Sequence, residues 1–271
     1  MSNYLNSSDF IDKGKPFMNV SAYLQRLNYT GPLKPTAETL RALHQAHLLA
    51  VPFENLDIHL GRAIVPDEDA FFGKIVERRR GGFCYELNGL FAALLRELGF
   101  EVTLLSARVA GENGAFGPEF AHLTLLVQLE ERWLVDVGFG ESFREPLRLD
   151  EPGEQVQANG AYRLTQDGEI RTYWARDETK DWHPQYCFTS QPRRLADFAE
   201  MCHYQQSSPQ SHFTQKQVCS LATPAGRVTL RDFRLIITNH GQRQERELAN
   251  QVEQAAVLRR YFGIDLGDPP R

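Results

Sequence analysis

Long hydrophobic runs are missing from this chain: nowhere in its 271 residues does an apolar stretch approach the ~18 residues that a membrane span needs. The first seventeen residues, MSNYLNSSDFIDKGKPF, have neither an apolar core nor a basic start. They do not read as a secretory signal, but as a polar extension. Cysteine is sparse, with only Cys84, Cys187, Cys202 and Cys219, and there is no Cys-x-x-Cys pair or histidine at ligand spacing. That argues against zinc or any other metal, and against a disulfide framework, and it points to a reducing cytoplasm. Positive charge is not in excess either. The net charge of −5 gives nucleic acid no general attraction, so an anionic ligand would need a local basic patch. No internal repeat or low-complexity tract is visible.

What is present is an ordinary globular composition, 42% hydrophobic and 24% charged. The length exceeds what one compact core usually carries, so two or three sub-domains are expected. The first third reads as helical. PTAETLRALHQAHLLAV offers Thr36 or Thr39 as a cap, then Leu40, Leu43, His47 and Leu48 at helical spacing. DEDAFFGKIVERRR is a second helix. A third starts near Cys84, with Leu87, Leu90, Phe91, Leu94, Leu95 and Leu98 as its stripe and Gly99 as its C-terminal stop. Beyond Gly99 the period changes to two. EVTLLSARV, HLTLLVQL and RWLVDVGF read as strands, and Asp167-Gly168 separates two alternating runs as a hairpin turn does. HPQYCF is a further strand, so the middle is an antiparallel barrel or curled sheet. QPRRLADFAEMCHY returns to helix with Pro192 in its first turn. Short strands around Pro224-Ala225-Gly226 follow, and ERELANQVEQAAVLRRYFGI closes as an amphipathic helix. The class is α+β.

Chemistry is concentrated in RRRGGFCYELNGLF, residues 78–91. A free cysteine has a pKa near ~8.5, and the start of a helix favours its anion. Gly81 and Gly82 permit a sharp turn and a close approach to a ligand, and Arg78 to Arg80 add positive potential if any points inward. The other reading is a buried structural cysteine. A thiolate enzyme also needs a base and a group to orient it. His122 opens one strand and Asp136 sits in the apolar strand after it, where a lone carboxylate is costly unless paired. A hairpin centred on Glu130-Glu131 places Leu125 opposite Asp136, leaving His122 offset by three residues, roughly 10 Å along the strand. A bulge or a longer loop must close that gap. The alternatives are an ordinary strand histidine and an aspartate that caps the VGFG turn.

VPFENLDIHLGR (51–62), RRRGGFCYELNGLF (78–91), HLTLLVQ (122–128) and WLVDVGFGES (133–142) together resemble the arylamine N-acetyltransferases. SSPQSHF (207–213) and GRVTLRDF (226–233) are similar to that family too, so the resemblance runs from about Val20 to the last helix. It implies a three-part fold: a helical bundle over 1–98, a β-barrel over 99–191, and an inter-domain helix with an α/β lid over 192–271. The catalytic core would be Cys-His-Asp, shared with papain-like proteases and transglutaminases. It also implies acetyl transfer from acetyl-CoA to aromatic amines, hydrazines and N-hydroxyarylamines, with Cys84 as nucleophile, His122 as base and Asp136 as orienting acid. By the same resemblance Phe53, Val109 and Phe139 line the acceptor pocket, and Glu54 and Arg80 form a supporting ion pair. Gly138 and Gly140 would admit the pantetheine arm. Ser208, Ser211, Lys216, Arg227 and Arg231 would meet the CoA phosphates. The rivals are an amide synthase of the same family in antibiotic biosynthesis, a thiol hydrolase or transglutaminase-like enzyme, and a CoA-binding scaffold. The chain departs from the family's pattern in its N-terminal extension, in its early stop after the last helix, and in a SSPQSHF string that is usually richer in threonine.

Overall fold

A computed structural model describes residues 18–176 and 181–267; the polar extension expected over residues 1–17 lies outside them. The helical third begins with α1 (Val20–Arg26) and α2 (Ala37–Ala50), the latter capped by Thr36, whose hydroxyl accepts from the Thr39 N–H. A two-residue strand β1 (Phe53–Glu54) and the short α3 (Leu56–His59) follow. Next come α4 (Glu68–Phe72), continued by a π turn over Gly73–Glu77, and α5 (Cys84–Glu97). The expected stripe of α5 is buried from Leu87 to Leu95 and partly buried at Leu98, and Gly99 takes a φ of 87° at its end.

The barrel is an antiparallel sheet of eight strands: β2 (Glu101–Val109), β3 (His122–Gln128), β4 (Arg132–Val135), β5 (Leu147–Arg148), β6 (Glu154–Gln157), β7 (Gly160–Asp167), β8 (Ile170–Arg176) and β9 (Trp182–Phe188). Their order is β5-β4-β3-β2-β9-β8-β7-β6. The two end strands are not paired by backbone, yet the sheet nearly closes. The Gln155 side chain exchanges hydrogen bonds with the Arg148 backbone, and the Gln157 side chain bonds Arg144 and Glu145. The Asp167-Gly168 turn is where the alternation put it, with Asp167 opposite Ile170. Both faces of β3 are buried. Leu123, Leu125 and Val127 pack on the helical core, while Leu105, Leu134, Phe143, Tyr173 and Tyr186 fill the barrel.

The β3–β4 register corrects the sequence reading by one residue. Leu125 lies opposite Val135, and Gln128 pairs with Arg132 across a three-residue turn. Because side chains alternate faces, that single step matters. The expected register would have sent His122 and Asp136 to opposite faces of the sheet. The observed one puts them on the same face, two residues apart along the strand.

Two helix starts also differ from expectation. After β9 a 3-10 turn (Leu195–Phe198) leads into α6 (Ala199–Ser207), so Pro192 precedes the helix rather than sitting in its first turn. The short α7 (His212–Gln215) then leads to a second sheet of β10 (Val218–Thr223), β11 (Gly226–Arg231), β12 (Arg234–Asn239) and β13 (Gln242–Glu247). The ERE of the expected last helix belongs to β13, an exposed edge strand whose charges suit an unpaired edge. The helix itself, α8 (Gln251–Val257), is capped by Asn250 and runs through a π turn (Leu258–Phe262) to Gly263, with φ 66°. β1 pairs with β10, so residues 53–54 join this last sheet to the start of the chain. Among the described residues no helix is long and apolar enough to cross a membrane, and no group of three or more His, Cys, Asp or Glu is placed to hold a metal ion.

Candidate active site

Cys84 is the first residue of α5, and the segment before it is tied down on both sides. Gly82 bridges to Phe53, with Glu54 N–H donating to the Gly82 carbonyl at 2.8 Å. At Gly81 a Cβ would stand 2.0 Å from the Pro52 carbonyl oxygen, so only glycine lets the two segments lie this close. The Phe83 N–H, left without a partner by the helix, donates to the Glu86 carboxylate at 3.1 Å. Opposite, a Cβ on Gly138 would meet the Cys84 Cα at 2.8 Å. The loop after β4 thus passes directly over the nucleophile candidate.

Asp136 is the first residue past β4, and its carboxylate is enclosed. One oxygen, Oδ2, accepts from His122 Nε2 at 2.7 Å and from the Tyr186 hydroxyl at 2.9 Å. The other, Oδ1, accepts from Asn88 Nδ2 and from the Gly138 N–H, both at 2.9 Å. Four donors on one buried carboxylate fill its capacity. Burial alone would raise its pKa, but the adjacent His122 and these donors outweigh that and hold it below the usual carboxylate value. Asn88 is also fully used, donating to the Leu123 carbonyl and accepting the Val137 N–H. With Nε2 committed to Asp136, the His122 nitrogen left for other chemistry is Nδ1.

Cys84 is 3% exposed, and burial pushes its thiol pKa well above the ordinary value. Backbone hydrogen bonds from Leu123 and Tyr85 pull it down, while the Asp136 charge adds to the rise. The expected lowering by the helix start is therefore outweighed by desolvation, and a thiolate here requires a positive charge beside it. Arg78 and Arg79 do not supply that charge, since both are exposed, and Arg80 is turned to Glu54 and Asp57. The remaining candidate is a protonated His122.

Cys84 and His122 share the wall of a cavity of about 680 Å³. Phe53, Val109, Gly138 and Phe139 line it too, so the structure brings these sequence-named positions together around the thiol. Asp136 is buried behind His122. Gly140 lies in an adjoining space of about 350 Å³ that shares Phe53 and Phe139 and is bordered by Lys216 and Arg231. Ser211 reaches the larger cavity, but Ser208 lines neither of the two; its hydroxyl accepts from the Gln210 N–H at 3.2 Å. The expected Glu54–Arg80 pair exists, at 2.8 Å, inside a larger buried cluster with Lys74, Asp57 and Glu86.

Sequence reasoning missed three residues around Asp136. Asn88 was within reach, being four residues after Cys84 and so on the same helix face. Tyr186 and His44 carried no local signal, because both meet Asp136 only through the tertiary fold.

A family model described as N-acetyltransferase matches residues 36–270. The chain is 37% identical over 258 residues to an arylamine N-acetyltransferase of Mycolicibacterium smegmatis, covering 93% of this chain and 94% of that protein. It is 38% identical over 251 residues to an arylamine N-acetyltransferase / N-hydroxyarylamine O-acetyltransferase of Salmonella typhimurium, covering 91% and 89%. The solved structure of Mycobacterium marinum arylamine N-acetyltransferase in complex with CoA superposes with a TM-score of 0.85 at 33% identity, over 91% of this chain and 93% of that one.

Proposed function

This chain belongs to the arylamine N-acetyltransferase family and is a transferase, and we propose that it moves acetyl from acetyl-CoA to the nitrogen of arylamines or arylhydrazines, or to N-hydroxyarylamines, by a ping-pong cycle. The observation that carries the reading is the shared cavity of Cys84 and His122, with Asp136 2.7 Å behind the imidazole. The name of the Salmonella relative supports N-hydroxyarylamines as acceptors, with the acetyl group passing to their oxygen rather than their nitrogen, and the CoA complex of the Mycobacterium marinum protein supports the donor.

In the first half-reaction the Cys84 sulfur attacks the thioester carbonyl while its proton passes to His122 Nδ1. The bond from carbonyl carbon to CoA sulfur breaks, and the CoA thiolate takes the proton from His122. This transfer answers the raised thiol pKa: the thiolate forms only as imidazolium forms beside it, and Asp136 stabilises that imidazolium. The N–H groups at the start of α5, near Cys84 and Tyr85, stabilise the oxyanion. In the second half-reaction the neutral amine attacks the acetyl-cysteine carbonyl, His122 accepts the amine proton, and the Cys84 thiolate leaves and is reprotonated. Aromatic amines suit this step because they are weak bases with a free lone pair at neutral pH, and Phe53 and Phe139 give the ring apolar surfaces to stack on. Val109 completes the acceptor pocket.

On this reading the pantetheine arm passes Gly138 and Gly140, and the phosphates meet Lys216 and Arg231 with Ser211 nearby, whereas Ser208 and Arg227 line neither of the two spaces, Arg227 donating to the Ser220 hydroxyl at 3.0 Å. The chain works as three parts, 1–98 bearing the nucleophile, 99–191 bearing base and acid, and 192–271 covering the cleft, in the cytoplasm.

The test is the intact mass of the protein after mixing with acetyl-CoA and no amine, with Cys84→Ala alongside. One acetyl group gained by the wild type alone is the expected result. No adduct, with CoA unchanged, would overturn the acetyl-enzyme and favour the hydrolase or amide-synthase chemistry.

A further inference from the structure

Asp136 has left the β4 ladder, so its peptide N–H and carbonyl need partners from elsewhere. They meet the imidazole of His44 on α2, a fully buried residue. His44 Nε2 lies 3.1 Å from the Asp136 carbonyl oxygen and 3.4 Å from the Asp136 nitrogen. Its Nδ1 lies 2.9 Å from the Arg144 carbonyl oxygen. One ring therefore touches both ends of the loop from Asp136 to Arg144, the loop that carries Gly138, Phe139 and Gly140 to the cavity walls. The ring is itself held flat against Phe143, with centroids 5.7 Å apart and planes at 14°, and edge-on to Phe91 at 6.3 Å.

We infer that His44 is a positioning residue for the reaction: it staples the Asp136–Arg144 loop and thereby fixes the Asp136 carboxylate against His122. The inference rests on the proposed roles of Cys84, His122 and Asp136. Burial holds His44 neutral, with its pKa depressed to about 4. In a neutral imidazole one nitrogen donates and the other accepts. Both nitrogens face a carbonyl, Nδ1 that of Arg144 at 2.9 Å and Nε2 that of Asp136 at 3.1 Å, so the single N–H of the neutral ring serves one of them; with Nδ1–H on Arg144, the shorter contact, the Nε2 lone pair accepts the Asp136 N–H at 3.4 Å. The contact is to the backbone of Asp136, so it sets where the side chain starts without occupying either carboxylate oxygen. It also lets α2, which contributes nothing to the cavity wall, govern the loop that does. Arg144 extends the staple. Its guanidinium donates to the Thr223 carbonyl at 2.9 Å and also bonds the Gly226 carbonyl, both in the β10–β11 hairpin. The loop that His44 holds at one face is thus fastened to the second sheet at the other.

Three variants separate positioning from packing. His44→Phe keeps the ring stacked on Phe143 but removes both nitrogens. His44→Asn puts an amide near the Nδ1 position, within reach of Arg144 only. His44→Gln extends an amide towards Asp136. Each is measured for Tm, for kcat/KM in arylamine acetylation, and for the pH profile of Cys84 alkylation by iodoacetamide over a Cys84→Ala background. The expected loss in kcat/KM for His44→Phe is ~10–100-fold, taken from the range for residues that orient metal ligands, which hold a functional group in place in the same way. Its alkylation profile is expected to shift, because the Cys84–His122 pair no longer has a fixed carboxylate behind it. His44→Gln is expected to recover the profile further than His44→Asn, even where their Tm values are equal. An alkylation profile unchanged in His44→Phe, whatever its Tm, would reduce His44 to a packing residue and overturn the inference. Asp136→Asn is the control: should its own alkylation profile match wild type, the assigned role of Asp136 fails, and not the staple.

Discussion

Two buried polar clusters flank the start of α5, and they are built on opposite principles. Behind it, Lys74 and Arg80 stand among Glu54, Asp57 and Glu86. Lys74 Nζ is 2.9 Å from both Glu86 and Asp57, and Arg80 reaches Glu54 at 2.8 Å and Asp57 at 3.1 Å. In front, one carboxylate, Asp136, is held by His122 and by three neutral donors. The first cluster has more charge and strong pKa perturbation. Burial pushes Glu86 up to about 7 against the pull of Lys74, while Asp57, despite burial, is held low by Lys74 and Arg80. Yet none of its five members lines the cavity that contains Cys84. Perturbed ionisation alone therefore does not single out the reactive side. What differs is the opening. The Asp136 cluster ends in an imidazole with one nitrogen uncommitted and a cavity in front of it. The Lys74 cluster is closed on itself, joining β1, α3, the π turn and α5 into the frame that holds the Cys84 turn.

The largest effect that tests this division is Asp136→Asn. The amide cannot stabilise imidazolium and offers His122 the wrong hydrogen-bond pattern, so kcat is expected to fall by ~10⁴, the loss known for such a change in a Ser-His-Asp enzyme. Steady-state acetylation with a simple arylamine measures it. A loss under about tenfold would mean that His122 does not depend on a charge behind it, and the contrast between the clusters would lose its meaning.

Lys74→Met should show its main effect in stability. It leaves Glu86 without its cation, while Glu54 and Asp57 keep Arg80 and Asp57 also keeps Arg62 at 3.7 Å, and breaking a buried pair in this way costs ~3–5 kcal/mol. Urea unfolding reads it. The cost also depends on pH in a direction the cluster sets. Glu86 has a folded pKa of about 7, above its ordinary 4.5, so the folded protein takes up this proton first as pH falls. That stabilising uptake is complete below 4.5 and lost as pH rises through about 7. Lys74 faces a charged Glu86 only once the pH has risen through about 7, so the loss on Lys74→Met is expected to be constant below that value and to grow above it. A loss that stays constant from below to above that value would mean that Glu86 does not change its charge there and that the cluster carries its full charge throughout.

Much of this was legible in the chain, and the limits are physical. The α5 stripe, the Asp167-Gly168 hairpin and the alternating strands of the barrel follow from local pattern, because burial on one or both faces dictates the period. The β3–β4 register was missed by one residue, since a turn of Leu129, Glu130 and Glu131 is not distinguishable by composition from a two-residue turn. The last three residues of β13, Glu245 to Glu247, read as helix because this exposed strand has no buried face to impose a period of two. Within the site, Cys84, His122 and Asp136 were named from their motifs. Their contact was not legible, because it depends on that same one-residue register. Of the three arginines that would add positive potential if one pointed inward, none serves the thiol; Arg80 makes the pair with Glu54 that the resemblance implies and adds Asp57, which no local pattern signals.

Tyr186→Phe is the finest test of the comparison, and the smallest effect. It deletes one of four donors on Asp136 while leaving the ring in its aromatic cluster, edge-on or tilted to Phe139, Tyr173 and Phe188 at 5.0 to 6.0 Å. A hydrogen bond to a charged acceptor is worth ~1.5–3 kcal/mol, but this one exists before and during the reaction alike, so most of it cancels in the rate. A fall in kcat/KM of less than about tenfold is expected, with Tm lowered more visibly than activity. Should the loss instead approach that of Asp136→Asn, the four donors are not interchangeable supports. Tyr186 would then belong to the reacting assembly, and the open cluster would be one residue larger than its cavity wall suggests.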